Sequence, residues 1–167
     1  MRRASTVKLA SDVTAADPGP MDIIVLPHDE RHLRRRRLTT QKGEAFLVDL
    51  PRTIALHHGD RFVLDDGSTV EVIAAQEKLT EITARHTQHH AELCWHLGNR
   101  HLPAQVEVDR VLIVPDRIIE EMLKGLGATL RPVTEIFTPM RGAYDSAQTH
   151  DNHHHHHHAH SHDHDHG

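Results

Sequence analysis

Imidazole is the side chain in this sequence with the most obvious chemistry: 20 of its 167 residues are histidine, and 11 of those fall between His150 and His166. After His150 comes an unbroken run, His153, His154, His155, His156, His157 and His158. His160, His162, His164 and His166 then follow at alternate positions. Neutral imidazole is a good ligand for divalent nickel, copper, zinc and cobalt, and a flexible chain can bring several rings onto one ion. Asp163 and Asp165 add carboxylate oxygens. With an unperturbed pKa of ~6.5, most such rings are ligand-competent at neutral pH and lose that competence towards pH ~5. Each bound ion must order a disordered chain, so several weak, exchangeable sites are expected, which suits capture or storage better than catalysis. Six consecutive histidines also look like a purification tag. The continuation through Ala159, His160, Ser161, His162 and on to His166 is not something a tag requires, and the segment reads as native. Composition does not separate Ni²⁺ from competing Zn²⁺ or Cu²⁺, because raw affinity follows the Irving–Williams order.

Nine histidines precede this segment. His96 and His101 bracket Leu97-Gly98-Asn99-Arg100, a glycine-ended corner from which a ligand could project. One histidine cannot make a strong site alone, but a twofold dimer would bring in a second copy of it. The plainer reading of His101 is an exposed corner residue. His86, His90 and Cys94 are four apart and could share a helical stripe, although Cys94 fits a core position better. His57-His58 read as an exposed loop. His28 and His32 lie near Arg34-Arg35-Arg36-Arg37, a charge run that is either a solvated face or a dock for an acidic partner.

The formal charge of −5 and the confinement of basic residues to one short run argue against a nucleic-acid binder. With Cys94 the only cysteine, no intramolecular disulfide and no Cys-rich zinc motif can form. No stretch is apolar for long enough to span a membrane. Arg2 and Arg3 are not followed by an apolar run, so no signal peptide is expected and the cytoplasm is the expected compartment. A phosphate-cradling G-x-x-x-x-G-K-[ST] loop is missing, and no Ser, His and Asp arrangement points to nucleophilic catalysis. The chain is therefore not expected to be an enzyme.

The elements that would position these residues read as α+β. Residues 1–20 look like a flexible leader. Residues 21–76 look like a small N-terminal antiparallel β domain, with apolar runs at Ile23–Leu26 and at Ala45–Val48, the latter ended by Pro51. Arg61–Leu64 and Thr69–Ile73 flank the turn signal Asp65-Asp66-Gly67. Over residues 77–145 the period changes. A strand is expected at Leu79–Thr83, then a helix from about Thr87 to Leu97 with Ala91, Cys94 and Trp95 on one face. Strands at Gln105–Val108 and Arg110–Val114 follow. A second helix is opened by Pro115-Asp116 and closed near Gly125 and Gly127, and a last strand covers Thr129–Ile136. The β-α-β-β-α-β order is the ferredoxin-like plan. Residues 146–167 are expected to be a disordered His-rich tail.

The stretch Cys94-Trp95-His96-Leu97-Gly98-Asn99-Arg100-His101-Leu102-Pro103 closely resembles the signature of the UreE family of urease accessory nickel chaperones. Further pieces of the resemblance lie in order: Leu50-Pro51-Arg52, His58-Gly59-Asp60, Val72-Ile73-Ala74-Ala75, Glu121-Met122-Leu123, Phe137-Thr138-Pro139 and Gly142-Ala143-Tyr144. The resemblance implies a β-rich domain of peptide-binding type followed by a metal-binding domain, working as a homodimer. It implies that His101 binds nickel at the dimer interface. It also implies delivery to apo-urease through urease accessory proteins, one of them a GTPase. Some relatives carry further histidines before the second helix, where this chain has Val114-Pro115-Asp116-Arg117. The expected function is thus a nickel-binding chaperone. The alternatives are a metal store or buffer, and an enzyme with an incidental His-rich tail.

Overall fold

The structure is a computed structural model that describes residues 1–140, in which two β-sheets follow one another along the chain. Six strands build the first sheet: β1 (Arg2–Lys8), β2 (Asp22–Leu26), β3 (His32–Thr39), β4 (Ala45–Ala55), β5 (Arg61–Leu64) and β6 (Thr69–Ala74). Their order is β2-β6-β5-β1-β4-β3. Ile24, Leu38, Phe46, Val48, Phe62 and Val72 lie in its core, with Phe46 and Phe62 packed edge to face at 5.5 Å. The β5–β6 hairpin turns at Gly67, whose φ of 82° suits glycine, and Asp66 Oδ1 accepts from the Ser68 N–H at 2.9 Å.

Three expectations for this half need correction. Residues 1–20 are not a loose leader. β1 lies inside the sheet, parallel to β4 through Arg2–Phe46, Arg3–Leu47 and Ala4–Val48, and antiparallel to β5. Ala4 is fully buried, while the residues around it are polar and hide the strand from any apolar count. At the end of β1 Lys8 pairs with Asp17, and beyond it the Ala10 N–H donates to the buried Asp60 at 2.8 Å. Secondly, the sheet is mixed and not wholly antiparallel, because β1/β4 and β2/β6 run parallel. Thirdly, Pro51 does not end its strand. β4 runs on to Ala55, and the exposed Pro51 lies past β1 and beside the register shift of β3 between Leu33 and Arg35, where a missing N–H is tolerated.

The second sheet comprises β7 (Gln76–Thr83), β8 (Ala104–Val106), β9 (Val111–Ile113) and β10 (Thr129–Ile136), ordered β10-β7-β9-β8 with every pair antiparallel. Helix α1 (Thr87–Gly98) links β7 to β8, and α2 (Arg117–Gly125) links β9 to β10, so the expected β-α-β-β-α-β order is present. Asp116 caps α2 by accepting from the Ile119 N–H at 3.0 Å. Gly127 closes the helix at φ 83°. Its N–H donates to the Lys124 carbonyl and that of Ala128 to the Leu123 carbonyl, both at 3.0 Å. The core-facing side of α1 is not the expected one. His89, Leu93 and Leu97 are buried, whereas Ala91 is exposed and Trp95 is 66% exposed. His89 fits there because both ring nitrogens are used: one meets the Leu126 carbonyl at 2.8 Å, and Nδ1 accepts from the Arg85 N–H at 3.1 Å. Among the described residues no helix is long and apolar enough to cross a membrane.

Deleting residues 1–8 removes an interior strand, so the first sheet should lose cooperative thermal unfolding by circular dichroism. Retention of a wild-type transition would mean that β1 is dispensable. On the second sheet, Arg110 meets Glu107 at 2.7 Å, Glu135 at 2.8 Å and Glu81 at 2.9 Å. Its guanidinium holds the carboxyls of Glu81 and Glu107 below their ordinary value of 4.5. Carboxylates depressed in the fold lend stability that is present above pH 4.5 and is lost as pH falls through the lower folded values. Replacement Arg110→Met should therefore flatten the fall of the melting temperature below that pH, measured by thermal denaturation across pH 3–7.

Candidate metal centre

His101 stands where helix α1 ends. The Asn99 N–H donates to the Trp95 carbonyl at 3.1 Å, that of Arg100 to Leu97 at 3.0 Å and that of His101 to Gly98 at 3.2 Å, a tightening final turn. His101 itself has φ 55° and is the only non-glycine residue with positive φ among the described residues. The left-handed region costs an L-residue with a Cβ about 1 kcal/mol or more, and such strain collects at functional sites. Leu102 turns back into the core cluster of the second sheet, which anchors the corner from the other side.

The exposed ring of His101 borders a cavity of about 830 Å³ that lies between the two sheets. His28, His32 and His57 reach the same cavity from the first sheet, and Cys94 and Met140 from the second half of the chain. These residues are not equivalent as ligands. His28 is already held, with Nδ1 at 2.8 Å from Glu77 Oε1 and its ring edge-on to Phe137 at 4.8 Å. His57 lies near Asp60 at 3.8 Å and remains largely exposed. Burial pushes the Cys94 thiol up from its ordinary value, so little thiolate exists at neutral pH to bind a metal. Among the described residues no three His, Cys, Asp or Glu side chains converge closely enough to hold an ion. Among the described residues, then, His101 has no two further ligands close enough to complete a site with it.

The other sequence candidates separate clearly. His86 is taken up as the N-cap of α1, where Nδ1 accepts from the His89 N–H at 3.2 Å, so the stripe with His90 and Cys94 is not a ligand set. His58 is exposed on its loop, with Nδ1 accepting from the Ala74 N–H at 3.3 Å. His150, His153, His154, His155, His156, His157, His158, His160, His162, His164 and His166 lie outside the described residues. What the sequence reading missed is the gathering of His28, His32 and His57 opposite His101. These residues are remote in sequence and share no spacing that would have signalled it.

Two family models match the chain. That of the UreE urease accessory protein N-terminal domain covers residues 4–75, and that of its C-terminal domain covers residues 77–166, which takes in the histidine-rich segment. Curated relatives agree. The urease accessory protein UreE of Brucella anthropi is 52% identical over 151 residues, spanning 90% of this chain and 88% of its own length. UreE 1 of Brucella suis is 51% identical over 144 residues, 86% and 88% of the two chains. The Rhizobium rhizogenes protein is 48% identical over 147 residues, 87% and 88%.

The strain at the corner is measurable without metal. His101→Gly should raise the stability of the metal-free chain by about 1 kcal/mol, seen as a melting temperature several degrees higher, while His101→Ala should leave it nearly unchanged. Equal stability of the Gly and Ala variants would mean that the left-handed turn stores no strain.

Proposed function

This chain belongs to the UreE family of urease accessory proteins, and from that premise we propose that it is a nickel metallochaperone that captures Ni²⁺ and delivers it during assembly of the urease active site. The observation that carries the reading is the corner at His101, where an exposed imidazole is presented in a strained, well-fixed backbone at the mouth of a cavity. A carrier needs a ligand that is positioned but not enclosed, since an ion wrapped by a full protein shell leaves slowly.

In this reading the functional unit is a homodimer that brings two His101 rings to one ion. Trp95 supports it: a tryptophan 66% exposed on α1, beside Ala91 and His96, is the type of residue that interfaces bury. The histidines from His150 to His166 act as a low-affinity collector that supplies the interfacial pair. Weak collection is an advantage there, because each ion must be surrendered. The partners are other urease accessory proteins, including a GTPase, and apo-urease, and the setting is the cytoplasm. The chain moves an ion and performs no catalysis. Zn²⁺ and Cu²⁺ compete for the same imidazoles.

The test is calorimetric nickel titration of three proteins, the full chain, the chain ended after Tyr144 and His101→Ala, with mass followed by light scattering. The shortened protein should keep about one tight site per dimer. His101→Ala should lose that site and retain the weaker ones. If shortening abolishes all nickel binding, the body is no metal site and the protein is a store. If His101→Ala changes neither stoichiometry nor affinity, the assignment of His101 is wrong.

A further inference from the structure

The four consecutive arginines, Arg34 to Arg37, all lie exposed on β3, which ends the first sheet, so one side of this strand pairs with no other strand among the described residues. The register shows what the sequence alone conceals. Arg37 is opposite Leu47 on β4, and Leu47 is opposite Arg3 on β1, so two arginines flank Leu47 across three adjacent strands. Arg35 is opposite Asp49 on the same face. Cross-strand partners share a face, and the core lies on the other one with Ala4, Leu38, Phe46 and Val48. Asp49 is the one carboxylate paired in this group, 3.6 Å from Arg3 and 3.8 Å from Arg35. Arg3 and Arg35 nevertheless keep 56% and 68% of their side chains exposed. Among the described residues Arg34 and Arg37 make no ion pair, and Arg36 meets Glu30 at 2.8 Å.

We propose that this outward face and the free edge of β3 together form a docking surface for an acidic, extended segment of a partner protein. Three guanidiniums around one aspartate leave a positive excess on a chain whose net charge is −5, so the patch opposes the sign of the whole. Arginine forks match carboxylates in two-bond geometry. An unpaired strand edge offers main-chain donors and acceptors to an added strand. A strand laid along β3 presents every second side chain to one face, so carboxylates at alternate positions would meet Arg35 and Arg37 together. Shielding the edge from aggregation would need no more than a charge or two on the strand itself. It does not account for Arg3, two strands further in, on the same face. The surface does not depend on nickel.

The test is fluorescence anisotropy of the full chain with a short labelled peptide carrying glutamate at every second position, beside its glutamine counterpart. The glutamate peptide should bind at least about tenfold tighter, with an affinity that falls as salt rises. The double replacement Arg35→Glu and Arg37→Glu should abolish that preference, whereas Arg117→Glu, on the exposed side of α2, should leave it intact. If the double variant does not fold, Arg35→Gln with Arg37→Gln should still weaken binding and reduce its salt dependence. Equal binding of the glutamine peptide, or no loss on replacing the arginines, overturns the proposal. Tighter binding of a labelled DNA duplex through the same arginines would overturn it in favour of a nucleic-acid surface. A large gain in peptide affinity on ending the chain after Tyr144 would instead assign the face to the chain's own Asp163 and Asp165.

Discussion

Arg31 joins the two sheets from the inside, and the candidate site depends on that joint. It is 5% exposed, and its guanidinium donates to the Leu56 carbonyl just after β4 and to the Phe137 carbonyl just after β10. A buried cation costs too much to leave without oxygens around it, so each carbonyl is drawn in as the other is held. His28 and Glu77 make a second bridge beside it, and Phe137 packs against the His28 ring. The covalent connection between the sheets is one residue long, since β6 ends at Ala74 and β7 starts at Gln76. The Ala75 N–H is itself fixed to the Leu26 carbonyl at 2.9 Å. The cavity beside this joint thus has walls from both sheets whose spacing is set by hydrogen bonds and not by a linker.

The corner at His101 shows a second constraint. Helix ends commonly turn through a glycine in the left-handed region, as α2 does at Gly127. In α1 the glycine, Gly98, remains helical, and the left-handed position three residues later is filled by histidine. A residue with a Cβ tolerates that conformation only where its surroundings hold it, here the tightened turn before it and the packing of Leu102 after it. In exchange the backbone that carries the imidazole is fixed at the corner. A ligand carried on a fixed backbone would lose less conformational entropy on sharing an ion with a second one.

Sequence reading succeeded where local chemistry decides structure. Asp116 and Gly127 bracket α2 by capping, Asp66-Gly67 turns the hairpin, and the β-rich run Thr69–Ile73 lies within the strand Thr69–Ala74. It failed where the deciding contact was distant. β1 and β3 carry arginines because one faces outward along the sheet and the other ends it, so neither shows the apolar alternation of a strand. The face of α1 was misjudged because a histidine serves as a core residue there, satisfied by a carbonyl 37 residues away. The motif around His101 was legible as a likeness to a family, while the histidines opposite it depend on the joint at Arg31 and could not be found from spacing.

The geometry also bears on why affinity and assembly would be linked in the proposed carrier. One chain presents one exposed imidazole at the corner, and no third ligand converges on it among the described residues. A site that drew its second ligand from another chain would tie metal binding to pairing. Binding that requires two chains must stabilise the pair by as much as pairing strengthens the binding, because linkage is reciprocal. Nickel held at the interface would then report on the dimer, and a partner that loosens the interface would release the ion without competing for it. A complete shell within one chain would offer no such handle, since every ligand would have to be displaced in turn.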